Sequence, residues 1–76
     1  MKLEDVKCGM KIKFAMPTWW CEVIDNSPYI WFKGRVIKHY ERAIVVSGKN
    51  RKHKMRLDNV MCFPKNGEYI MIKKQK

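Results

Sequence analysis

The chain lacks the residue patterns that mark several special classes of protein. Its three cysteines, Cys8, Cys21 and Cys62, are odd in number and include no C-x-x-C pair, whereas secreted disulfide scaffolds hold an even and denser set. Lys or Glu interrupts every hydrophobic stretch, so no run is long enough for a signal peptide or a membrane span. We therefore expect free, buried thiols, a cytoplasmic setting and no membrane partner.

Residues that carry catalysis or bind metals are also scarce. His39 and His53 form no close ligand pair, and zinc sites in short chains normally show such pairs. Gly-rich phosphate loops and clustered carboxylates are absent, and the spacing of Cys and His does not support a nucleophile with its base. We predict no enzyme activity, no metal, no cofactor and no small-molecule substrate.

Acidic residues are nearly missing from the middle of the chain. Residues 33–56 contain nine Lys and Arg against the single acid Glu41. Residues 1–32 hold four Lys and four acids, so residues 33–76, with thirteen cations and three acids, supply the whole net charge of 13 − 3 = +10. Such one-sided charge repels itself in a compact fold and attracts polyanions. The sequence therefore indicates a partner more clearly than a reaction.

The chain does contain enough apolar surface for a core. Hydrophobic residues make up 46% of the 76 residues and aromatic residues 12%, values that argue against intrinsic disorder. A chain of this length forms one domain, which we assign to residues 1–76.

Short β-rich runs alternate with prolines and glycines, without the 3.6-residue stripes of amphipathic helices. The predicted strands are residues 11–16, 29–40 with a bend or bulge at Gly34, 42–47, 51–57, 61–63 and 68–73. Tight turns are predicted at 47–50 and 58–60. Five or six short antiparallel strands in so short a chain predict an all-β fold, a small closed or nearly closed barrel.

Four segments carry a family resemblance through their order and spacing. They are VKCGMKIKF (6–14), GRVIK (34–38), RAIVVS (42–47) and RLDNV (56–60). The first three resemble the opening strands of SH3-like barrels of the KOW and Tudor kind, and the last resembles their 3₁₀ exit toward the final strand. The resemblance implies a small SH3-like barrel that binds nucleic acid or protein. The small size and the high Lys, Ile, Met and aromatic content also resemble phage-encoded accessory proteins, which act in the host cytoplasm.

The basic tract predicts a surface for nucleic acid. Alternation along the predicted strand 51–57 places Lys52, Lys54 and Arg56 outward as a ladder of cations. Lys and Arg along a groove bind a phosphate backbone by releasing its counterions. The alternatives are a solvated surface and a patch that meets an acidic protein. The candidate nucleic-acid-binding residues are Arg35, Lys38, Arg42, Lys49, Arg51, Lys52, Lys54 and Arg56.

Tryptophans supply a second set of candidates. Trp19 and Trp20 are adjacent in the predicted loop after the first strand, and both cannot point inward if that segment is extended. With Trp31 they are candidates for stacking on bases or for contacting a partner protein. Capping of the barrel end is the simpler role for at least one of the pair. A methyl-lysine cage that also uses Tyr29 is disfavoured by the basic setting.

Two hypotheses follow from these residues. The first is a nucleic-acid-binding module, for DNA or RNA, that uses a basic strand face with weak sequence specificity. The second is a protein-interaction module, such as a phage-type factor that binds and modulates an acidic host protein through loop tryptophans, with electrostatic steering.

Overall fold

Five strands account for about half of the residues that the computed structural model describes, which are 1–69 and 71–74. In chain order, the elements are a 3₁₀ turn at Leu3–Asp5, β1 at Lys11–Pro17, a helical turn α1 at Thr18–Cys21, β2 at Tyr29–His39, β3 at Ile44–Asn50, β4 at Met55–Cys62 and β5 at Ile72–Lys74. Neither helical segment in the described part of the chain has the length and apolar character needed to cross a membrane.

The strands form one antiparallel sheet in the order β4-β3-β2-β1-β5. Strands β1 to β4 follow one another as a meander, and β5 returns to the free edge of β1. The predicted all-β class is therefore confirmed, and the strand order is compatible with an SH3-like fold. Within residues 1–69 and 71–74 the sheet is open, with β4 and β5 as its two edge strands.

The core lies on one face of this sheet because apolar side chains recur at every second position of β1 and β2. Phe14 and Phe32, which are directly opposite each other, stack with ring centroids 5.3 Å apart and an interplanar angle of 11°. Cys21 in α1 and Tyr69 before β5 close the core from outside the sheet. The remaining buried residues of this cluster are Val6, Ile12, Ile30, Val36, Ile44, Val46 and Ile72.

Gly34 and Gly48 permit the close approach of the three central strands. Gly34 is opposite Gly48 on β3 and opposite Ile12 on β1. A Cβ at Gly34 would lie 1.7 Å from the carbonyl oxygen of Ser47, and a Cβ at Gly48 would lie 2.7 Å from the ring of Phe14. The bulge predicted at Gly34 is wrong, since the register of β2 shifts between Val36 and Lys38 instead. Gly34 therefore permits the close packing of β2 against β3.

The hairpin turn between β3 and β4 also differs from the prediction. The turn predicted at 47–50 is wrong, because β3 continues to Asn50 and the turn occupies 51–54. Gly48 is needed inside the sheet, and the Asn50 side chain starts the turn by accepting the backbone N–H of His53 at 2.8 Å. Lys54 completes the turn with a φ of 52°. The predicted strand 51–57 consequently begins only at Met55.

The segment predicted as a tight turn at 58–60 is part of β4. The register between β3 and β4 shifts between Val46 and Gly48, and Asn59 adopts a φ of 55° there. The backbone N–H of Asn59 donates to the Ser47 hydroxyl at 3.0 Å, which satisfies the bulged residue. The turn-forming residues therefore make a bulge, and the resemblance of RLDNV to a 3₁₀ exit is not realised.

The three cysteines are free thiols, as predicted, but they are not all buried. Cys21 is buried and Cys62 is half-buried, and burial raises the pKa of each thiol. Cys8 lies exposed in the turn before β1, where its Sγ donates to the carbonyl of Ile37 at 2.9 Å. The prediction of a buried thiol is wrong for Cys8.

Candidate nucleic-acid interface

A row of cations crosses the sheet at right angles to the strands. Each member is directly opposite its neighbour on the next strand. We call these five residues the basic row, and from β5 to β4 they are Lys73, Lys13, Lys33, Lys49 and Arg56. Adjacent strands are about 4.8 Å apart, so four intervals give the row a length of roughly 19 Å.

Strand alternation places the basic row on the face opposite the core. Ile12 and Phe14 flank Lys13 on β1, and both are fully buried, so Lys13 points to the other side. Gly48, which flanks Lys49, has its Cβ direction toward Phe14 in the core. Lys13 is half-buried, and the other four members are exposed.

The electrostatics of the row are unfavourable without a partner. Like charges directly opposite one another destabilise a sheet, and ordinary surfaces intersperse both signs. Arg56 donates from Nε to Asp58 Oδ1 at 3.2 Å, but both side chains are exposed and such a pair is weak. Across residues 1–69 and 71–74, no other member of the basic row has an ion pair. The row therefore presents a nearly uncompensated positive surface.

Trp31 lies beside the centre of the row. It precedes Lys33 by two residues on β2, so both side chains are on the same face. Trp31 is 38% exposed. Lys73 extends past the small Ala15, which is opposite Trp31, and places Nζ 5.0 Å from the centroid of the Trp31 ring. This cation–π contact joins the Trp31 ring to β5.

A recess opens on the other side of Trp31. It has a volume of about 360 Å³ and is lined by Trp31, Lys33, Lys49, Asn50 and Arg51, without an acidic residue. Asn50 fixes its wall, because Nδ2 donates to the carbonyl of Trp31 at 2.8 Å while Oδ1 accepts the N–H of His53. The lining therefore combines an aromatic ring with three cations, of which Arg51 belongs to the hairpin turn.

Beside the hairpin turn, positive charge is compensated by an acid. We call this group of residues the tip cluster, and its members are Asp25 and Ser27 from the loop before β2 and Lys52 and His53 from the turn. Asp25 accepts the backbone N–H of Ser27 at 2.8 Å, His53 Nε2 at 2.8 Å and Lys52 Nζ at 3.0 Å. These three hydrogen bonds, led by that of Ser27, hold the pKa of Asp25 well below its usual range. The Asp25 side chain is only 10% exposed. The cluster ties the loop before β2 to the turn after β3.

The structure distributes the predicted nucleic-acid-binding residues among several places. Lys49 and Arg56 belong to the basic row, and Arg51 lines the recess. Arg35 is on the same face, opposite Lys11 and Ser47. Lys38 is near the far end of β2, and Arg42 is in the connection from β2 to β3.

The predicted ladder of Lys52, Lys54 and Arg56 is wrong. Lys52 and Lys54 lie in the turn at 51–54, so strand alternation does not align them with Arg56, and Lys52 is paired with Asp25. Lys13, Lys33 and Lys73 were absent from the predicted set although they form most of the row. Alternation in KIKF already places Lys13 outward. Only the strand register shows which cations are opposite one another.

Trp19 and Trp20 lie in the helical turn α1, not in an extended loop. They are 78% and 44% exposed, whereas Cys21 is the buried residue of this turn. Ile24 is fully exposed a few residues later. The segment therefore presents apolar side chains to solvent, and none of them belongs to the basic row.

Comparisons with protein families, with curated proteins and with solved structures gave no match to this chain. In the part of the chain that the structure describes, no group of three or more His, Cys, Asp or Glu side chains is arranged to hold a metal ion. The geometry and charge of the outward sheet face are therefore what indicate the function of this protein.

Proposed function

We propose that the protein is a non-enzymatic nucleic-acid-binding module that uses the outward face of its sheet. The observation that carries this proposal is the basic row, in which five cations are directly opposite one another across all five strands. The arrangement costs stability in the free protein because like charges are adjacent. A polyanion that binds across the row would remove that repulsion. Its binding should therefore also stabilise the folded protein.

The ammonium and guanidinium groups of the row would contact phosphates, and their contribution to affinity comes from counterion release. Phosphate contacts position a nucleic acid without reading its bases, so we expect weak sequence specificity. We further propose that the domain is an SH3-like barrel of the KOW or Tudor kind. It would act in the cytoplasm, or in the host cytoplasm if it is phage-encoded.

Salt dependence tests this proposal directly. If all five members of the basic row contact phosphates of duplex DNA, log affinity should fall with log salt at a slope near −4.5. Fluorescence anisotropy with a labelled duplex, between about 50 and 200 mM NaCl, measures the slope. An affinity that does not change with salt, or no binding at the lowest salt concentration, would contradict the proposal.

A second candidate function is a protein-interaction module, and the exposure of Trp19, Trp20 and Ile24 favours it. Trp residues are frequent hot spots of protein interfaces, and the basic surface would steer the module toward an acidic partner, such as a host protein if the chain is phage-encoded. A pull-down from bacterial lysate, with and without nuclease, separates the two functions. One captured protein that resists nuclease and is lost in Trp19→Ala supports this second candidate.

A further inference from the structure

We propose that the recess beside Trp31 binds one unpaired nucleotide, so that the ligand of the basic row is single-stranded nucleic acid. This inference depends on the proposed function, because it names the class of nucleic acid that the same face would bind. It is carried by the position of the recess next to the row, by its aromatic wall and by the absence of acids from its lining.

The Trp31 ring provides the stacking surface. Lys73 lies over the ring from the β5 side, whereas the recess that Trp31 also lines is formed with residues of β3 and the turn that follows it. Single-strand-binding proteins combine a positively charged track for the backbone with aromatic rings on which bases stack. A base on the recess side of Trp31 would leave the Lys73 contact intact.

The remaining lining suits the phosphate and sugar of that nucleotide. Lys33, Lys49 and Arg51 supply positive charge around a volume of about 360 Å³, which is within the range of small-ligand pockets. Both polar atoms of the Asn50 side chain are already engaged, with the Trp31 carbonyl and the His53 N–H. Asn50 is therefore a positioning residue, which holds Arg51 and the turn beside the ring before any ligand arrives.

Duplex nucleic acid uses the row without the recess. A paired base would have to leave its stack to reach Trp31, and this unpairing costs a few kcal/mol that an unpaired base does not need. We therefore expect the five cations to serve both forms, whereas Trp31 contributes only to single strands. The salt slope should differ as well, near −3.5 for a single strand and near −4.5 for a duplex with five phosphate contacts.

The test uses labelled oligothymidylate and oligouridylate of about 12 nucleotides, together with a duplex of the same length. Anisotropy titrations compare the wild-type protein with Trp31→Leu, Trp31→Phe and the matched control Trp19→Leu. We expect Trp31→Leu to weaken single-strand binding by about 5- to 150-fold, the effect of losing one stacked base. Trp31→Phe should retain part of that affinity, and Trp19→Leu should bind like the wild type. The tighter of the two single strands assigns DNA or RNA.

Intrinsic fluorescence gives a second readout that does not depend on affinity. Oligothymidylate should quench tryptophan emission in the wild type and in Trp19→Leu but not in Trp31→Leu. Thermal melting of each variant verifies that the fold persists. If Trp31→Leu weakens the single strand no more than Trp19→Leu does, or weakens the duplex equally, the inference is wrong while the proposed function stands. If neither the single strands nor the duplex binds in a salt-dependent manner, both the inference and the proposed function are wrong.

Discussion

The basic row and the tip cluster both contain cations of the tract 33–56, namely Lys33, Lys49 and Arg56 in the row and Lys52 in the cluster, and they use this charge in opposite ways. In the tip cluster, Lys52 and His53 converge on Asp25, whose side chain is nearly buried, and the Asp25 carboxylate compensates the charge of Lys52. In the row, four of the five members have no ion pair among the described residues, and the pair of Arg56 with Asp58 is exposed. The comparison shows that dense positive charge in a sequence does not identify which cations remain available to a ligand.

The largest loss of stability should come from preventing the close approach of β2 and β3, which brings members of the basic row together. Gly34→Ala places a Cβ 1.7 Å from the Ser47 carbonyl oxygen, so the backbones of β2 and β3 must separate. We expect a loss of about 3 kcal/mol or more in the free energy of unfolding, measured by denaturant titration.

Gly48→Ala is the matched control for Gly34→Ala. A Cβ there would lie 2.7 Å from the ring of Phe14 and 2.9 Å from the Lys33 carbonyl oxygen, a smaller overlap than the 1.7 Å approach at Gly34. The expected loss is about 1–2 kcal/mol. An equal or larger loss for Gly48→Ala would show that the close approach of β2 and β3 at Gly34 is not the critical contact.

Reversing the central charges should abolish most nucleic-acid binding and leave the fold intact. Lys33→Glu combined with Lys49→Glu should lower the affinity for nucleic acid by about 100-fold in low salt, because two phosphate contacts and their counterion release are lost. Anisotropy titration measures the affinity, and thermal melting verifies the fold.

Lys38→Glu combined with Arg42→Glu is the matched control. It changes the net charge by the same amount as the first double variant, but at positions outside the basic row. Lys38 lies five residues beyond Lys33 on β2, about 16 Å along the strand. We expect this control to weaken binding by less than about fivefold, the effect of a distant charge under screening. Equal losses for the two double variants would mean that net charge, and not the row, determines the affinity.

The tip cluster should contribute to stability and little to binding. Asp25→Asn removes the carboxylate that joins Lys52, His53 and Ser27, so the melting temperature should fall more than in Asp58→Asn, whose ion pair is exposed. Because the native pKa of Asp25 is lowered, its stabilising contribution is complete above the ordinary Asp pKa of about 3.9. It is lost progressively as the pH falls below that value toward the lowered native pKa.

Denaturant titrations of the wild type and Asp25→Asn at several pH values measure this dependence. Their difference in stability should be constant between about pH 7 and pH 5 and should shrink below about pH 4. A difference that grows on acidification would contradict the assigned role of Asp25. Nucleic-acid affinity at pH 7 should change by less than about threefold, since Lys52 is not part of the row.

The smallest effect should come from the end of the row. Asp58→Asn removes the acid that pairs with Arg56, so Arg56 becomes fully available to a phosphate. Exposed ion pairs contribute about 0–1 kcal/mol, which limits the expected gain in affinity to about fivefold at most. A loss of affinity on this substitution would place Arg56 outside the interface.

Sequence reasoning succeeded where a pattern is local. The alternation of Ile12 and Phe14 with lysines correctly predicted β1, and the β-branched and aromatic run after Pro28 correctly predicted β2. It failed at the hairpin between β3 and β4, because Gly48 has two possible uses. Turn chemistry suggested a turn at 47–50, but packing against Phe14 requires Gly48 inside the sheet. That contact joins residues far apart in the chain, so no local pattern could predict it.

By itself, the sequence determined the all-β class and the concentration of positive charge after residue 32. It also placed Lys13 on the outward face of its strand. Only the tertiary structure decided which cations are opposite one another and which one is neutralised by Asp25. The physical reason is register: the position of each turn sets the pairing of antiparallel strands, and a shift of one residue moves every side chain to the other face.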